Sequence, residues 1–92
     1  MNRSQLAEEL AARFSHLTQK DAEDAVTVIL EAMGNALAAK QRIEIRGFGS
    51  FSPVRRLPRI GRNPRTGDSV SIPERMVPHF KPGKRLRQVI DT

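Results

Sequence analysis

The part of the sequence that most restricts the fold is residues 52–77, because it cannot form a globular core. Its strand-like segments are interrupted by proline, which donates no hydrogen bond to a sheet, at Pro53, Pro58 and Pro73. Between these segments, residues 61–68 are rich in residues that form turns. The apolar side chains of this stretch are too few to enclose a core. The pattern therefore predicts a long two-stranded hairpin, with residues 54–75 as an arm that projects from the body.

Charge is distributed unevenly along the chain. Residues 1–41 contain 4 basic and 6 acidic residues, whereas residues 42–92 contain 12 basic and 4 acidic residues, a net charge of +8 in the second half. Ten of those twelve basic residues are arginine, whose planar guanidinium suits bidentate contacts to phosphate. This separation of charge predicts a polyanionic partner.

The composition also excludes several classes of function. The chain has no cysteine, so it has no disulfide framework, no Cys-ligated zinc and no thiol nucleophile. Its two histidines, His16 and His79, are far apart and do not have the spacing of metal ligands. No glycine-rich phosphate loop precedes a predicted helix. We therefore expect no metal, no cofactor, no small-molecule substrate and no enzymatic activity.

The apolar stretches are only a few residues long, so we expect no membrane-spanning segment. The N-terminal residues 1–4 run directly into an amphipathic pattern with acidic residues, which is unlike a secretory signal. Both features favour a soluble, cytoplasmic protein.

The N-terminal region predicts two antiparallel helices. Apolar residues recur at helical spacing from Leu6 to Phe14, and Asn2, with a glutamine three residues later, is typical of a capping box at the start of the first helix. Thr18 is the predicted cap of a second helix that ends near residue 39.

Farther along, the periodicity changes to that of a strand. Residues 42–46 alternate between charged side chains and isoleucine, so we expect the isoleucines to face inward and the charges to share the outer face. A glycine on each side of Phe48 indicates a tight turn. Residues 77–80 are predicted to return to the sheet, and a short last helix follows with Pro82 in its first turn.

These elements predict an α+β fold in a single domain. Its regions are a helical dimerisation region (1–40), a sheet (41–53 and 76–81), the arm (54–75) and a C-terminal helix (82–92). Without the arm about 70 residues remain, and a body of that size is marginal alone because it buries only about 60% of its unfolded surface. No disulfide or metal is available to stabilise it, so we expect an obligate, intertwined dimer. The predicted dimer core contains Ile43, Ile45, Phe48, Phe51 and Phe80.

Three motifs occur in order along the chain: residues 43–51 (IEIRGFGSF), 61–67 (GRNPRTG) and 77–84 (VPHFKPGK). Together they resemble the bacterial HU/integration host factor family over essentially the whole chain. Within that family, Glu44, Arg46 and the last motif are more similar to integration host factor beta subunits than to HU.

The resemblance implies a body of two subunits, in which helices lie beneath a saddle of sheet and two arms wrap double-stranded DNA and bend it. It also implies a nucleoid-associated protein whose bent DNA serves recombination, transcription and replication. The implied partner is an integration host factor alpha subunit, although a homodimer remains open. An HU-like homodimer that binds DNA with little sequence preference is the main alternative.

Pro64 is the predicted intercalating residue. At the tip of a ribbon in the minor groove, its rigid ring would insert between base pairs and unstack them. The alternative is an ordinary turn proline that follows Asn63. Arg56 is a weaker candidate, because alternation turns some arm side chains to solvent, and for Arg87 a solvated position is equally favoured. The predicted DNA-binding residues are Arg55, Arg59, Arg62, Asn63, Pro64, Arg65 and Arg75 in the arm and Arg3, Arg42, Glu44, Arg46, Lys81, Lys84 and Arg85 in the body.

Glu44 is the unexpected member of this set, because a carboxylate repels phosphate. Glu44 and Arg46 are two apart on a strand, so they share a face, and one hypothesis is that Glu44 fixes the rotamer of Arg46 for minor-groove readout. The alternative is a surface ion pair without such a role. Sequence preference is expected to be mostly indirect, through the deformability of the DNA.

An RNA-binding protein is a rival interpretation on charge alone. Readers of single-stranded RNA usually stack bases on aromatic side chains, whereas this chain has four phenylalanines and no tyrosine or tryptophan. Duplex DNA is therefore the favoured partner.

Overall fold

The computed structural model describes residues 1–91 and has the predicted α+β architecture. Two N-terminal helices precede the strands, and a short helix follows them. In chain order the elements are α1 (Arg3–Arg13), α2 (Gln19–Ala38), β1 (Ile43–Ile45), β2 (Gly49–Arg56), β3 (Arg59–Arg62), β4 (Ser69–Ile72), β5 (Arg75–Pro82) and α3 (Lys84–Ile90).

Capping boxes fix the starts of the first two helices, at the predicted caps Asn2 and Thr18. The Asn2 side chain accepts a hydrogen bond from the Gln5 backbone at 2.9 Å, and the Gln5 side chain accepts one from the Asn2 backbone at the same distance. Thr18 and Asp21 make the equivalent pair of bonds, each 3.1 Å long. The hydrogen bonds from Thr18 lower the pKa of Asp21, because they stabilise the ionised carboxylate.

The core of a single chain is small. Among residues 1–91 the buried apolar side chains are Ala7, Ala22 and Val26, and the half-buried Leu10 and Ala11 pack against them. This cluster joins α1 to α2 but contains no large buried side chain. Packing within one chain therefore stabilises the helical region only weakly.

Three antiparallel strands form the sheet of the body, in the order β1-β2-β5. The register places Ile43 opposite Phe51, and Phe51 opposite Phe80, so one face of the sheet carries a row of apolar side chains. The Phe80 ring lies 4.6 Å from that of Phe51 and 5.5 Å from that of Phe48, measured between centroids. This aromatic cluster covers Gly49, where a Cβ atom would lie 2.6 Å from the Lys81 carbonyl oxygen.

The arm continues directly from the sheet. Beyond β1, strands β2 and β5 pair as a two-stranded ladder that ends where Arg56 faces Arg75. A second ladder, β3 with β4, forms the outer half of the arm. We call the β2–β5 part of the arm the inner ladder and the β3–β4 part the outer ladder. The ladders are interrupted at Leu57–Pro58 on one strand and Pro73–Glu74 on the other, which we call the arm break. Proline cannot donate to a ladder, so Pro58 and Pro73 account for its position.

The arm makes the molecule elongated, in agreement with the predicted projecting hairpin. Its principal-axis extents are 56 × 30 × 30 Å, and its radius of gyration is 18.4 Å. A compact chain of this length has a radius of gyration of about 12 Å.

The prediction that Pro82 lies in the first turn of the last helix is wrong. Pro82 is the last residue of β5, where it pairs with Gly49, and α3 begins only at Lys84. The backbone N–H of Gly83 donates to the Phe48 carbonyl at 2.8 Å, so the chain remains attached to the sheet for one residue beyond the strand. Pairing with β2 therefore outweighs the tendency of proline to begin a helix.

A single chain exposes far more surface than a compact monomer. Its accessible surface is 7890 Å², whereas a compact protein of 10.3 kDa exposes about 5,400 Å². The projecting arm and the uncovered apolar side chains of the body both contribute to the difference. The large apolar side chains exposed on the helices and sheet of the body include Leu6, Phe14, Val28, Ile29, Leu30, Ile45 and Phe48.

The close contact at Gly49 provides a stability test. Gly49→Ala should lower the free energy of unfolding by at least about 2 kcal/mol, because the added methyl group meets backbone and an aromatic ring. Gly61→Ala is the matched control, since its methyl group meets only the flexible end of Ile72, and a loss below about 1 kcal/mol is expected. Urea unfolding at one fixed protein concentration measures both. Equal losses in the two variants would contradict this description of the aromatic cluster.

Candidate nucleic-acid interface

The polar face of the body sheet gathers basic side chains from three elements. Because Glu44 faces Ser50, and Ser50 faces Lys81, the charged residues of the first strand share a face with Lys81. An open groove of about 620 Å³ lies here, and the basic residues that line it are Arg42, Arg46, Lys81, Lys84 and Arg87. With Glu44, which also lines the groove, the structure thus brings together five predicted DNA-binding residues and adds Arg87. The spacing of Lys84 and Arg87 on α3 is the sequence signal for that addition, since residues three apart share a helix face.

Arg85 lies beside the groove rather than in it. It lines a second open groove with Arg46, Lys84 and the turn at Gly47 and Phe48. The aliphatic part of Arg85 comes within 3.8 Å of the position that a Cβ atom would occupy on Gly47. Arg85 therefore extends the basic surface around the turn between β1 and β2.

Glu44 forms an ion pair with Arg42, at 3.1 Å, rather than with Arg46. Both arginines are two residues from Glu44, so both are on its face, but Arg46 lies beyond the end of β1, in the turn. Within residues 1–91 Arg46 makes no ion pair. In the structure Glu44 therefore does not hold Arg46. It neutralises Arg42 instead.

Arg3 is placed apart from the groove. It is the first residue of α1, and its guanidinium donates a hydrogen bond to the Thr27 hydroxyl on α2. It lines a separate cavity of about 260 Å³ whose lining also includes Glu23. The structure thus ties Arg3 to the helical region instead of joining it to Arg42 and Lys81.

The arm tip is a tightly hydrogen-bonded turn centred on Pro64. The Asn63 side chain accepts from the Arg65 backbone at 2.9 Å, and the Asn63 carbonyl accepts from the Gly67 backbone at 2.7 Å. Gly67 has φ +77°, which glycine adopts without a steric penalty. Arg62 donates to the Gly67 carbonyl at 3.2 Å. These bonds leave the ring of Pro64 and the side chain of Arg65 exposed at the tip.

The arginines of the inner ladder are divided between its two faces. Arg55 makes two contacts with the Glu74 carboxylate, at 2.6 and 2.8 Å. Arg56 faces Arg75 across the ladder, on the face that carries Ser50 and Lys81. Arg55, a predicted DNA contact, is thus paired and on the opposite face, whereas the weaker candidate Arg56 lies on the basic face.

In the outer ladder, Arg59 and Arg62 are also on opposite faces. Arg59 faces Ile72, and Arg62 faces Ser69, three residues along the strand from Arg59. Ile72 covers Gly61, on the Arg59 side, so that face is the more apolar one. Arginines on both faces would allow the outer ladder to contact both walls of a narrow groove of a nucleic acid.

The predicted dimer core is only partly covered within one chain. Ile43, Phe51 and Phe80 are half-buried, whereas Ile45 and Phe48 are 40% and 43% exposed. These residues remain a predicted interface.

Within residues 1–91 no group of three or more His, Cys, Asp or Glu side chains is arranged to hold a metal ion. None of the helices in that range is long and apolar enough to cross a bilayer.

Comparisons with known proteins agree with this arrangement. A family model described as bacterial DNA-binding protein matches residues 1–91. Integration host factor subunit beta of Herminiimonas arsenicoxydans is 59% identical over 91 residues, covering 99% of this chain and 90% of the relative. The chain belongs to the bacterial HU/integration host factor family of DNA-binding proteins.

Other relatives give the same assignment. Integration host factor subunit beta of Azoarcus sp. (strain BH72) is 57% identical, covering 99% of this chain and 97% of that protein. Among solved structures, the Anabaena HU–DNA cocrystal structure is similar with a TM-score of 0.88 and 34% identity, over 98% of this chain and 97% of that one. The HU/integration host factor family is one of DNA-binding proteins and not of enzymes. Within it, the sequence identity of this chain is higher to integration host factor subunit beta of Herminiimonas than to the Anabaena HU chain.

The ion pair on the polar face leads to a test of specificity in this member of the family. Glu44→Ala should change the preferred base by about fivefold or more at one or more positions, the scale of a single base-specific contact, because Arg42 is then free of the carboxylate. Selection from a random duplex pool, followed by sequencing, measures the preference. Glu9→Ala removes an exposed acid outside the groove and is the control. An unchanged preference would reduce the Arg42–Glu44 pair to a surface ion pair without a role in readout.

Proposed function

We propose that this chain is one subunit of an architectural protein that grips duplex DNA between β-ribbon arms and bends it. The observation that carries the proposal is the arm: it has no core, contains six arginines against two acidic residues between positions 54 and 75, and presents Pro64 at an exposed tip. Such a segment contributes little to folding, and its charge suits a polyanion. The basic groove of the body provides the second surface that a bent duplex would touch.

The proposed partner subunit is an integration host factor alpha subunit. The relatives from Herminiimonas and Azoarcus are described as beta subunits, and their identity to this chain is far above that of the Anabaena HU chain. The exposed apolar side chains of the body need a cover, and a second subunit provides it. Ile45 and Phe48, beside the half-buried Phe51 and Phe80, are the proposed centre of that interface. A homodimer with HU-like properties is the second candidate, supported by the HU–DNA structural similarity.

Pro64 is proposed as the intercalating residue. The hydrogen bonds of Asn63 hold the tip turn in shape, so the proline ring is presented as a rigid apolar wedge. Unstacking a base step costs a few kcal/mol, and the cost is offset because a bent duplex contacts more basic surface. Arg62 and Arg65 flank the wedge and would neutralise the adjacent phosphates.

The proposed body contacts are those of the basic groove. Arg42, Arg46, Lys81 and Lys84 would hold phosphates of the flanking duplex, with Arg87 as an added contact and Arg85 on the neighbouring turn. Arg3 is a more distant candidate that would have to leave Thr27 to reach a phosphate. The resulting binding is electrostatic, so log K should fall linearly with log salt concentration.

Selection among DNA sequences would follow mainly from shape. The minor groove distinguishes little beyond A·T from G·C, whereas bending a site of 20–30 base pairs costs about 1–6 kcal/mol, depending on its stiffness. Flexible steps beneath the two arm tips would therefore be favoured. A protein of this kind acts in the cytoplasmic nucleoid, and its role in recombination, transcription or replication is architectural and not catalytic.

A bending assay tests this function. A duplex labelled at both ends is mixed with the chain alone and with the chain plus an alpha subunit, and energy transfer between the ends reports the bend. Pro64→Ala should lower the ratio of bent to straight duplex about tenfold or more, because the wedge that offsets unstacking is lost. Pro53→Ala, at the base of the ribbon, is the control and should bend DNA as the parent chain does.

Two outcomes would contradict the proposal. If neither the chain alone nor its mixture with the alpha subunit brings the duplex ends together, the bending function is wrong. If Pro64→Ala bends DNA as strongly as the control, intercalation by Pro64 is wrong and the residue serves only the turn.

A further inference from the structure

His79 lies on the polar face of the body sheet, next to the basic groove. It faces Ser52 in the register, and this pair has the same parity along β2 and β5 as the pair Ser50–Lys81. On β5, His79 is two residues nearer to the arm than Lys81. A duplex that extends from the groove toward the arm break would therefore pass over the imidazole of His79.

The imidazole of His79 is exposed and has no partner in the part of the chain that the structure describes. The other histidine differs in both place and contacts. His16 lies in the loop between α1 and α2, and its ring stands edge-on to that of Phe14, with the centroids 6.1 Å apart. Only one of the two histidines is thus on the surface that DNA is proposed to contact.

The surroundings of His79 on this face are basic. The acid of the face, Glu44, is paired with Arg42 at 3.1 Å, and Arg42 also donates to the Ser50 hydroxyl at 3.5 Å. No free carboxylate on this face is therefore available to a protonated His79. The nearest charged residues on this face, taken from each neighbouring element, are Arg42, Glu44, Arg56, Arg75, Lys81 and Lys84.

Among the side chains of this face, histidine is the type whose charge changes near neutral pH. Histidine ordinarily titrates at about pH 6.5, whereas arginine and lysine stay charged and the phosphodiester of DNA stays anionic. The protonated ring donates from both nitrogens, while the neutral ring donates from one. In the free protein, protonation of His79 adds a like charge to a basic face. Beside a phosphate, the same proton completes a charge-assisted hydrogen bond.

We propose that His79 is a proton-linked contact to duplex DNA: its imidazolium donates to a backbone phosphate, so that DNA binding takes up a proton at this residue. The proposal rests on the proposed DNA-bending function and gives that function a dependence on pH. Because the complex favours the protonated ring, affinity is highest below the ordinary titration range of histidine and falls as the pH rises through that range. The permanently charged side chains supply the affinity that remains at high pH.

The first test measures affinity for a labelled duplex by fluorescence anisotropy, with the subunits assembled as in the bending assay and the ionic strength held constant. The parent protein should bind about fivefold or more tightly at about pH 6 than at about pH 8, per copy of His79. His79→Gln should bind weakly at both pH values. His79→Lys carries a permanent charge, so it should bind at the higher pH about as tightly as the parent does at the lower one. This recovery would not follow if His79 only supported the fold.

His16→Gln is the matched control. It removes the exposed histidine of the α1–α2 loop and should keep the full pH dependence of the parent. Far-ultraviolet circular dichroism at both pH values shows whether each variant is folded.

The second test counts protons. Calorimetric titrations of the duplex into the protein, in two buffers with different heats of ionisation, give the number of protons taken up on binding. At about pH 7 the parent should take up about half a proton per copy of His79. His79→Gln should lose this uptake, and His16→Gln should retain it.

The outcomes separate this contact from the general function. If the parent bends DNA but binds it equally well at both pH values, or if His79→Gln keeps the pH dependence, the proton-linked contact is wrong and the bending function stands. The same conclusion follows if His79→Lys gains no affinity at the higher pH, since no phosphate then lies beside this position. If the parent neither binds nor bends the duplex at either pH, the bending function itself fails, and the role of His79 fails with it.

Discussion

Repulsion between arginines is the main physical constraint on the arm, because six arginines and two acidic residues lie between positions 54 and 75. Between positions 54 and 75 every described side chain is exposed or half-buried, so the arm is held by backbone ladders and by local bonds such as Arg55–Glu74. No hydrophobic core is present between these positions to offset the repulsion between the arginines. A polyanion such as the proposed DNA partner would supply the compensation that the arm lacks.

The body is also incomplete as a single chain, because it leaves large apolar side chains uncovered. One chain buries Ala7, Ala22 and Val26, and leaves Ile45 and Phe48 largely open beside the Phe51–Phe80 cluster. The proposed function answers the two deficits differently: a second subunit would cover the apolar face, and duplex DNA would neutralise the basic one. The sheet connects them, since its register sends the aromatic row to one face and Lys81 with the charged residues of β1 to the other.

Much of this arrangement could be predicted from the residues alone. Asn2 and Thr18 predict where the first two helices begin, because capping is a local interaction. Proline predicts the arm, because the lack of a backbone N–H donor is a property of the residue itself. Strand register is not local, and the sequence does not show it. The pattern predicts Pro82 in a helix, whereas Pro82 pairs with Gly49. Alternation alone also does not show that Arg56 lies on the face of Lys81 and Arg55 on the opposite face. Likewise, Arg42 and Arg46 are both two residues from Glu44, so spacing alone does not show which of them forms the ion pair. Glu44 pairs with Arg42, and Arg46 lies beyond the end of β1.

Removal of the arm shows whether it serves the proposed DNA partner or the fold. Because Arg56 faces Arg75, residues 57–74 can be replaced by Asn-Gly, which closes a two-residue hairpin at that pair. The shortened chain should keep the helical circular dichroism, melting temperature and subunit assembly of the parent, and should no longer bend a labelled duplex. A shortened chain that unfolds, or one that still bends the duplex, would contradict the account.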